Sequence, residues 1–471
     1  MKLTEVFPDI FGIPREATVL IEGKYEPKPY QVEDAKTLNQ WQNCNNFSEV
    51  GTGKSAVACM WMAAKVYQNK RVIVAMPPGL ITQFQRNYCV LNSGHKLARI
   101  PDGVSARRAF LNNIRNNAPD ILFMSLRILS ICYRDLMDSE MYGAVVVDEA
   151  HEAANVSNAN YTAIFSLARM GGMDTLMMTA SPTPTEIKAS YAYMKLSNPG
   201  AYVNIEHFER THVEYTRAGA FNVISGYKDL DRLQRNLSVH TVRRRQKEVL
   251  SLADPTINNL QVELDKSHFD LYQTLLTERI LEMSDDELII ARNDQSLRQM
   301  AMRLVTNLEM FTTKKFEDNP LDTLKTIVNS LNGEKVVVFC NFKATVRKLH
   351  RVFMPLNPAL IYGESNTQDN VDKFLNDPTC KIALINYKSG GAGFNLQSAC
   401  HYVVFFEAVG SPGQLTQALG RVHREGQKNP VVAWVMQYTY TKSKKLFKKA
   451  YERSREIRYI LKDIVSIDWD S

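Results

Sequence analysis

Gly51-Thr52-Gly53-Lys54-Ser55 precedes a helical pattern over Ala56 to Tyr67 and the apolar run Arg71-Val72-Ile73-Val74-Ala75-Met76. A triphosphate needs backbone N–H groups aimed at its oxygens, a cation on the β- and γ-phosphates and a hydroxyl on Mg²⁺. Glycines, lysine and Ser/Thr at a strand-to-helix turn supply these. Gly51, Gly53, Lys54 and Ser55 fit those roles, with Thr52 inside the turn. The strict spacing asks for a glycine at position 48, where the chain carries Ser48. A Gly-Lys-Ser in a plain surface loop is the bland alternative, and the helix and buried strand that follow argue against it.

Further along, Tyr142-Gly143-Ala144-Val145-Val146-Val147-Asp148-Glu149 is an apolar run short enough for a buried parallel strand, ending in two carboxylates. At the carboxyl end of such a strand, Asp148 is placed to hold Mg²⁺ and Glu149 to polarise the attacking water. Near the other end of the chain, Gln417-Ala418-Leu419-Gly420-Arg421-Val422-His423-Arg424-Glu425-Gly426-Gln427 puts Arg421 and Arg424 three residues apart, on one expected helical face. Arginines that meet charge developing on a transferring phosphoryl group contribute about 10³ to 10⁵ in rate. This pair lies in a separate half of the chain, so it reaches a nucleotide only if two lobes close on it. A solvated face is the plain alternative for two such arginines taken alone.

In order along the chain, these motifs resemble those of superfamily 2 helicases and translocases, and within them the Swi/Snf type of double-stranded DNA motor. The similarity runs from Tyr30-Gln31 to about residue 440. It implies ATP and Mg²⁺ as cofactors, DNA as partner, and two RecA-like parallel-sheet lobes with a helical insert between them and a C-terminal helix. By the same resemblance Gln31 contacts adenine, Gly393 and Gln417 belong to the nucleotide site, and Ser55 and Asp148 hold the metal. His151 and Thr179-Ala180-Ser181-Pro182 would couple the ATP site to the DNA track. Pro77 to Phe84, Ser125, the cluster Arg243-Arg244-Arg245, and Lys388, Ser389 and Asn395 of the glycine-rich stretch Lys388 to Leu396 would face nucleic acid. Four positions depart from the family pattern: Thr52 and Ser55 where it has Leu and Thr, Lys388 where it has Arg, and Glu425 within the last motif. The residues that carry ATP chemistry are all in place.

The 471 residues suggest two or three domains, and 45% apolar with 23% charged residues is ordinary for a globular protein. A net charge of +7 favours a polyanionic partner without identifying one. Seven cysteines show no Cys-x-x-Cys pair and no zinc spacing, so they read as small buried hydrophobes in a reducing cytosol. No secretory signal or membrane-length apolar run is present, which predicts a cytoplasmic location in a bacterial or phage-infected cell. Nothing in the sequence identifies a protein partner, and a monomer is the default expectation.

The expected organisation is a lead-in over 1–25, a first lobe over 26–200, a largely helical segment over 201–331, and a second lobe over 332–471. Strand candidates at 72–76, 121–125, 144–147 and 175–178 alternate with helices in the first lobe. In the second they fall at 336–340, 359–362, 382–386, 402–406 and 431–436. From Lys442 onward a basic face accompanies apolar residues at helical spacing, and a solvated basic face is its simplest reading. A compact motor without accessory domains resembles the small helicases that move forks or Holliday junctions in replication, recombination or repair. Translocation on duplex DNA without strand separation is the alternative enzyme, and an ATP-gated DNA clamp the non-enzymatic one. RNA is disfavoured only by the resemblance, since backbone tracking tolerates either sugar.

Overall fold

The computed structural model describes residues 27–91, 94–183, 186–218, 221–250, 252–282, 288–290, 294–312, 317–362, 367–387, 394–407 and 412–441. The expected lead-in, the glycine-rich residues Lys388, Ser389 and Gly393, and the basic stretch from Lys442 lie outside them. The chain divides into two compact units after Leu250.

The first unit is built on a seven-stranded sheet: β1 (Asn43–Asn46), β2 (Arg71–Ala75), β3 (Leu97–Arg99), β4 (Ile121–Met124), β5 (Tyr142–Val147), β6 (Asp174–Met178) and β9 (Thr241–Val242). Their order is β3-β4-β2-β5-β6-β1-β9. Every neighbouring pair is parallel. A parallel sheet must be covered on both faces, and so the alternate side chains of one strand separate into two cores. Ile73, Val145 and Val147 join one cluster with Leu129 and Ile164, while Val72, Val74 and Val146 join the other with Trp61 and Tyr88.

β1 has no apolar pattern at all, because it reads Asn-Cys-Asn-Asn and yet is wholly buried. Each of its three asparagines has a side-chain hydrogen bond inside the protein. Asn45 Nδ2 donates to Ser197 Oγ (3.1 Å) and Thr241 Oγ1 (3.0 Å), Asn43 Oδ1 accepts from Thr175 Oγ1 (2.8 Å), and Asn46 Oδ1 accepts from the Ser48 amide (3.1 Å). Buried polar groups are tolerated when bonded in this way. The strand is thereby fixed at the point where it enters the Gly51–Ser55 turn.

The second unit repeats the plan with β10 (Thr256–Val262), β13 (Val336–Cys340), β14 (Ala359–Ile361), β15 (Ile382–Asn386), β16 (Tyr402–Phe405) and β17 (Val432–Tyr438), in the order β10-β17-β16-β13-β15-β14. All pairs are again parallel, with a core on each face.

Between residues 201 and 331 the structure is richer in strands than its sequence suggests. It holds β9, β10, the antiparallel pair β7 (Val213–Ala218) and β8 (Phe221–Tyr227), and the short pair β11 (Ile280–Glu282) and β12 (Leu288–Ile290). β10 hides its nature because it has one fully buried side chain in seven, and its pairing with β17 rather than its own pattern makes it a strand. The helices Lys266–Glu278 and Asp294–Thr306 follow the expected apolar spacing over that stretch. Among the described residues, no helix is long and apolar enough to cross a membrane.

Candidate active site

The phosphate loop joins β1 to the helix Lys54–Tyr67 at the carboxyl edge of the first sheet. Gly51 and Gly53 hold φ of 82° and 84°, left-handed values that cost other residues about 1–2 kcal/mol. Gly53 is also the first-turn boundary of the helix. No side chain caps that helix start, which leaves its first backbone N–H groups to an anion. A Cβ on Gly53 would lie 2.1 Å from Gln31 Nε2. Gln31 is fully buried and tied at both ends of its amide: Oε1 accepts from the Lys28 amide (3.0 Å) and Nε2 donates to Thr52 O (3.4 Å). Tyr30 donates its hydroxyl to the same Thr52 carbonyl (2.9 Å). The structure thus stacks Gln31 directly on the phosphate loop.

Lys54 folds back over the loop and donates to the carbonyls of Ser48 (2.7 Å) and Glu49 (2.9 Å). Burial, together with Arg243, lowers its pKa to about 8 against the pull of Glu149 and Asp148. Asp148 and Glu149 follow β5. The Asp148 carboxyl is pushed up to about 7, first by burial and then by Glu149. Two carboxylates and a lysine therefore share one small, partly dehydrated space, and each group influences the others. Glu149 sits at φ 49° and ψ 45°, a left-handed backbone for a non-glycine residue, and such strain gathers at functional sites.

Behind the carboxylates runs a chain of polar contacts. His151 Nδ1 lies 3.2 Å from Glu149 Oε2 and 3.1 Å from Thr179 Oγ1, and Thr179 Oγ1 accepts from the Ser181 amide (3.0 Å). Burial opposes a charge on His151, but the hydrogen bond and charge of Glu149 outweigh it and raise the imidazole pKa. The three expected coupling residues are therefore joined to the expected water-activating base. This is a physical connection from β5 to β6.

The arginine cluster lies elsewhere than on an open surface. Arg243 donates through Nη1 to Phe47 O, at the entrance of the phosphate loop. Arg244 bonds Asp34 Oδ1 through Nε (2.9 Å) and Nη2 (2.7 Å) and Glu33 Oε2 through Nη2 (2.8 Å). Arg245 pairs with Glu248. The anionic partners that such a cluster requires are supplied, for Arg244 and Arg245, by the chain itself. Ser125 caps the helix Leu126–Asp138, its hydroxyl accepting from the Ile128 amide (3.2 Å), and Pro77 ends the loop after β2.

In the second unit the last motif corrects the expectation of one helical face. The helix Pro412–Leu419 ends before Gly420, and Arg421 and Arg424 lie on the turns that follow. The amides of Val422 and His423 both reach Leu419 O (2.9 and 2.8 Å), and Gly426 takes φ 89°, so glycines on either side of the arginines replace helix by turn. Arg424 donates to Asn395 Oδ1, Arg421 lies over the Phe394 ring at 5.8 Å, and the Leu396 amide donates to Arg421 O (2.9 Å). Asn395, expected at nucleic acid, is thus also the acceptor for an arginine of the last motif. Burial and the neighbouring Arg421 lower the Arg424 pKa to about 10; such a crowded cation favours an anion nearby. Gln417 is half-buried on the preceding helix.

The donor set suits Mg²⁺. That ion takes oxygen ligands and usually uses one or two carboxylates plus phosphate and water, which Ser55 and Asp148 would supply beside a triphosphate. Among the described residues no group of three or more His, Cys, Asp or Glu could cage a metal alone. Cys44, Cys59, Cys132, Cys340, Cys380 and Cys400 are buried.

Residues 35–316 match the SNF2-related domain and residues 319–426 the helicase conserved C-terminal domain. The chain belongs to the SNF2-related family, as a superfamily 2 helicase or translocase of the Swi/Snf type. It is 20% identical over 458 residues to the ATP-dependent helicase YqhH of Bacillus subtilis, covering 91% of this chain and 78% of that one. It is 22% identical over 306 residues to the human DNA annealing helicase and endonuclease ZRANB3, covering 63% of this chain and 28% of that one. A solved SWI2/SNF2 ATPase core from Sulfolobus solfataricus in complex with dsDNA covers 95% of this chain and 94% of its own at 17% identity and a TM-score of 0.43.

Proposed function

We propose that the protein is an ATP-driven DNA motor that unwinds or branch-migrates forked or four-way DNA. The observation that carries the motor reading is the convergence of Lys54 with Asp148 and Glu149 at the carboxyl edge of one sheet, backed by the contact chain through His151 to Thr179 and Ser181. In this reading Lys54 leaves the two loop carbonyls to meet the β- and γ-phosphates, and Ser55 and Asp148 would hold Mg²⁺, whose charge would offset that of the phosphates. Glu149 orients the attacking water and takes its proton. His151 and Thr179 carry the change in Glu149 toward β6 and Ser181. Arg421 and Arg424 serve as the cations of the second unit, held ready by Phe394 and Asn395.

The branched-DNA part rests on the family and on similarity to an annealing helicase. Strand release from a labelled fork or four-way junction, measured beside ATP turnover, tests it. Turnover equally stimulated by linear duplex, with no strand release, would instead establish a duplex translocase. Stable ATP-dependent DNA binding without turnover would establish a clamp.

A further inference from the structure

Position 48 departs from the phosphate-loop pattern, and Ser48 and Glu49 are engaged by a segment almost two hundred residues away. The Ser48 hydroxyl accepts from the Arg244 amide (3.0 Å), the Glu49 amide donates to Arg244 O (2.9 Å), and the Glu49 carboxylate accepts from the Gln246 amide (2.7 Å). Arg243 closes the row on Phe47 O. The same two residues offer the carbonyls on which Lys54 rests, at 2.7 and 2.9 Å. In a phosphate loop, the direction of each carbonyl sets the direction of the next N–H, and those N–H groups are what a triphosphate binds. A loop with a glycine at 48 could not make the hydroxyl contact.

We propose that Ser48 and Glu49 are positioning residues for ATP binding, clipping the phosphate loop to residues 243–246 so that its amides and Lys54 are set for phosphate. This rests on the reading of Lys54 as the phosphate-binding lysine. The clip lies wholly within the first unit, and its far side is the last stretch of chain before the second unit begins at Ser251.

The test is the affinity of the full chain for a fluorescent ATP analogue, measured with steady-state ATP hydrolysis and thermal unfolding. Removing one acceptor from a partly buried backbone amide predicts an ATP Kd and KM raised about five- to tenfold for Glu49→Ala, with kcat within about twofold. Glu49→Gln keeps a side-chain oxygen for the Gln246 amide and recovers most of that loss. Ser48→Gly supplies the glycine of the strict pattern but deletes the hydroxyl, and it too weakens ATP binding. The proposal is overturned if Glu49→Ala binds ATP as wild type does, whatever its melting temperature, or if Ser48→Gly binds ATP more tightly. A wild-type chain that binds ATP but turns none over would refute the motor reading and leave the clip standing.

Discussion

Asp148→Asn should stabilise the unliganded protein while abolishing its turnover. The Asp148 carboxyl rises from 3.8 to about 7 through burial and the adjacent Glu149. Between those values the folded protein retains a proton that the unfolded chain has released, so stability falls as pH rises across that window and the penalty is complete above about pH 7. At about 1.36 kcal/mol per pKa unit the rise corresponds to an upper bound of about 4 kcal/mol. Lys54 offsets part of it and Glu149 shares it, leaving about 2 kcal/mol for the neutral amide to recover. For the first unit, which runs to Leu250, that is roughly 4–8 °C in melting temperature. The assay is thermal unfolding of both proteins at pH 8 and pH 5, in EDTA and without nucleotide. The gain should be full at pH 8 and roughly a third as large at pH 5, where the wild-type carboxyl is already protonated in the folded state. An equal gain at both pH values, or a loss at pH 8, would refute the electrostatic reasoning.

Four further outcomes are expected. Glu149→Gln should keep ATP affinity within a few-fold and lower kcat by about 10² to 10⁴, as removal of a general base does, read by single-turnover hydrolysis. Gly53→Ala forces a left-handed residue against the buried Gln31 amide; its ATP KM should rise about five- to thirtyfold, from about 1–2 kcal/mol of backbone strain at the loop. Arg424→Ala should lower kcat by about 10³ or more with little change in ATP Kd if it meets transition-state charge. Thr179→Val removes the hydroxyl that accepts from the Ser181 amide and breaks the contact to His151. The ratio of DNA-stimulated to unstimulated hydrolysis should then fall about tenfold, from a loss of about 1–2 kcal/mol at a partly buried amide.

Sequence made the alternating strands of both sheets readable because β2, β4, β5 and β13 are short, nearly continuous apolar runs, as strands buried on both faces must be. β1 was illegible, since four polar or small residues become a core strand only when Ser197, Thr175 and Thr241 bond them from other elements. Lys54, Asp148 and Glu149 were legible because their spacing follows local strand-to-helix turns. The fate of Arg244 was not. Its partners Asp34 and Glu33 lie about 210 residues away in sequence, and no periodicity predicts which carboxylate meets which arginine. The last motif misled for a local reason: Gln417 to Gln427 has helical spacing, but Gly420 and Gly426 flank the arginines and the helix stops at Leu419. For Ser48 the missing glycine was visible, and the amide that replaces its role in fixing the loop was not.

In the proposed function, ATP hydrolysis at Lys54, Asp148 and Glu149 drives movement on DNA. Its most direct measurement is ATP turnover without nucleic acid and with single strands, linear duplex, a fork, a four-way junction and RNA. Strand release is followed in parallel, and Lys54→Ala is the control. Stimulation greatest on branched DNA, with strands released and both signals lost in Lys54→Ala, is the predicted result. Turnover that no nucleic acid raises above the Lys54→Ala level would contradict it.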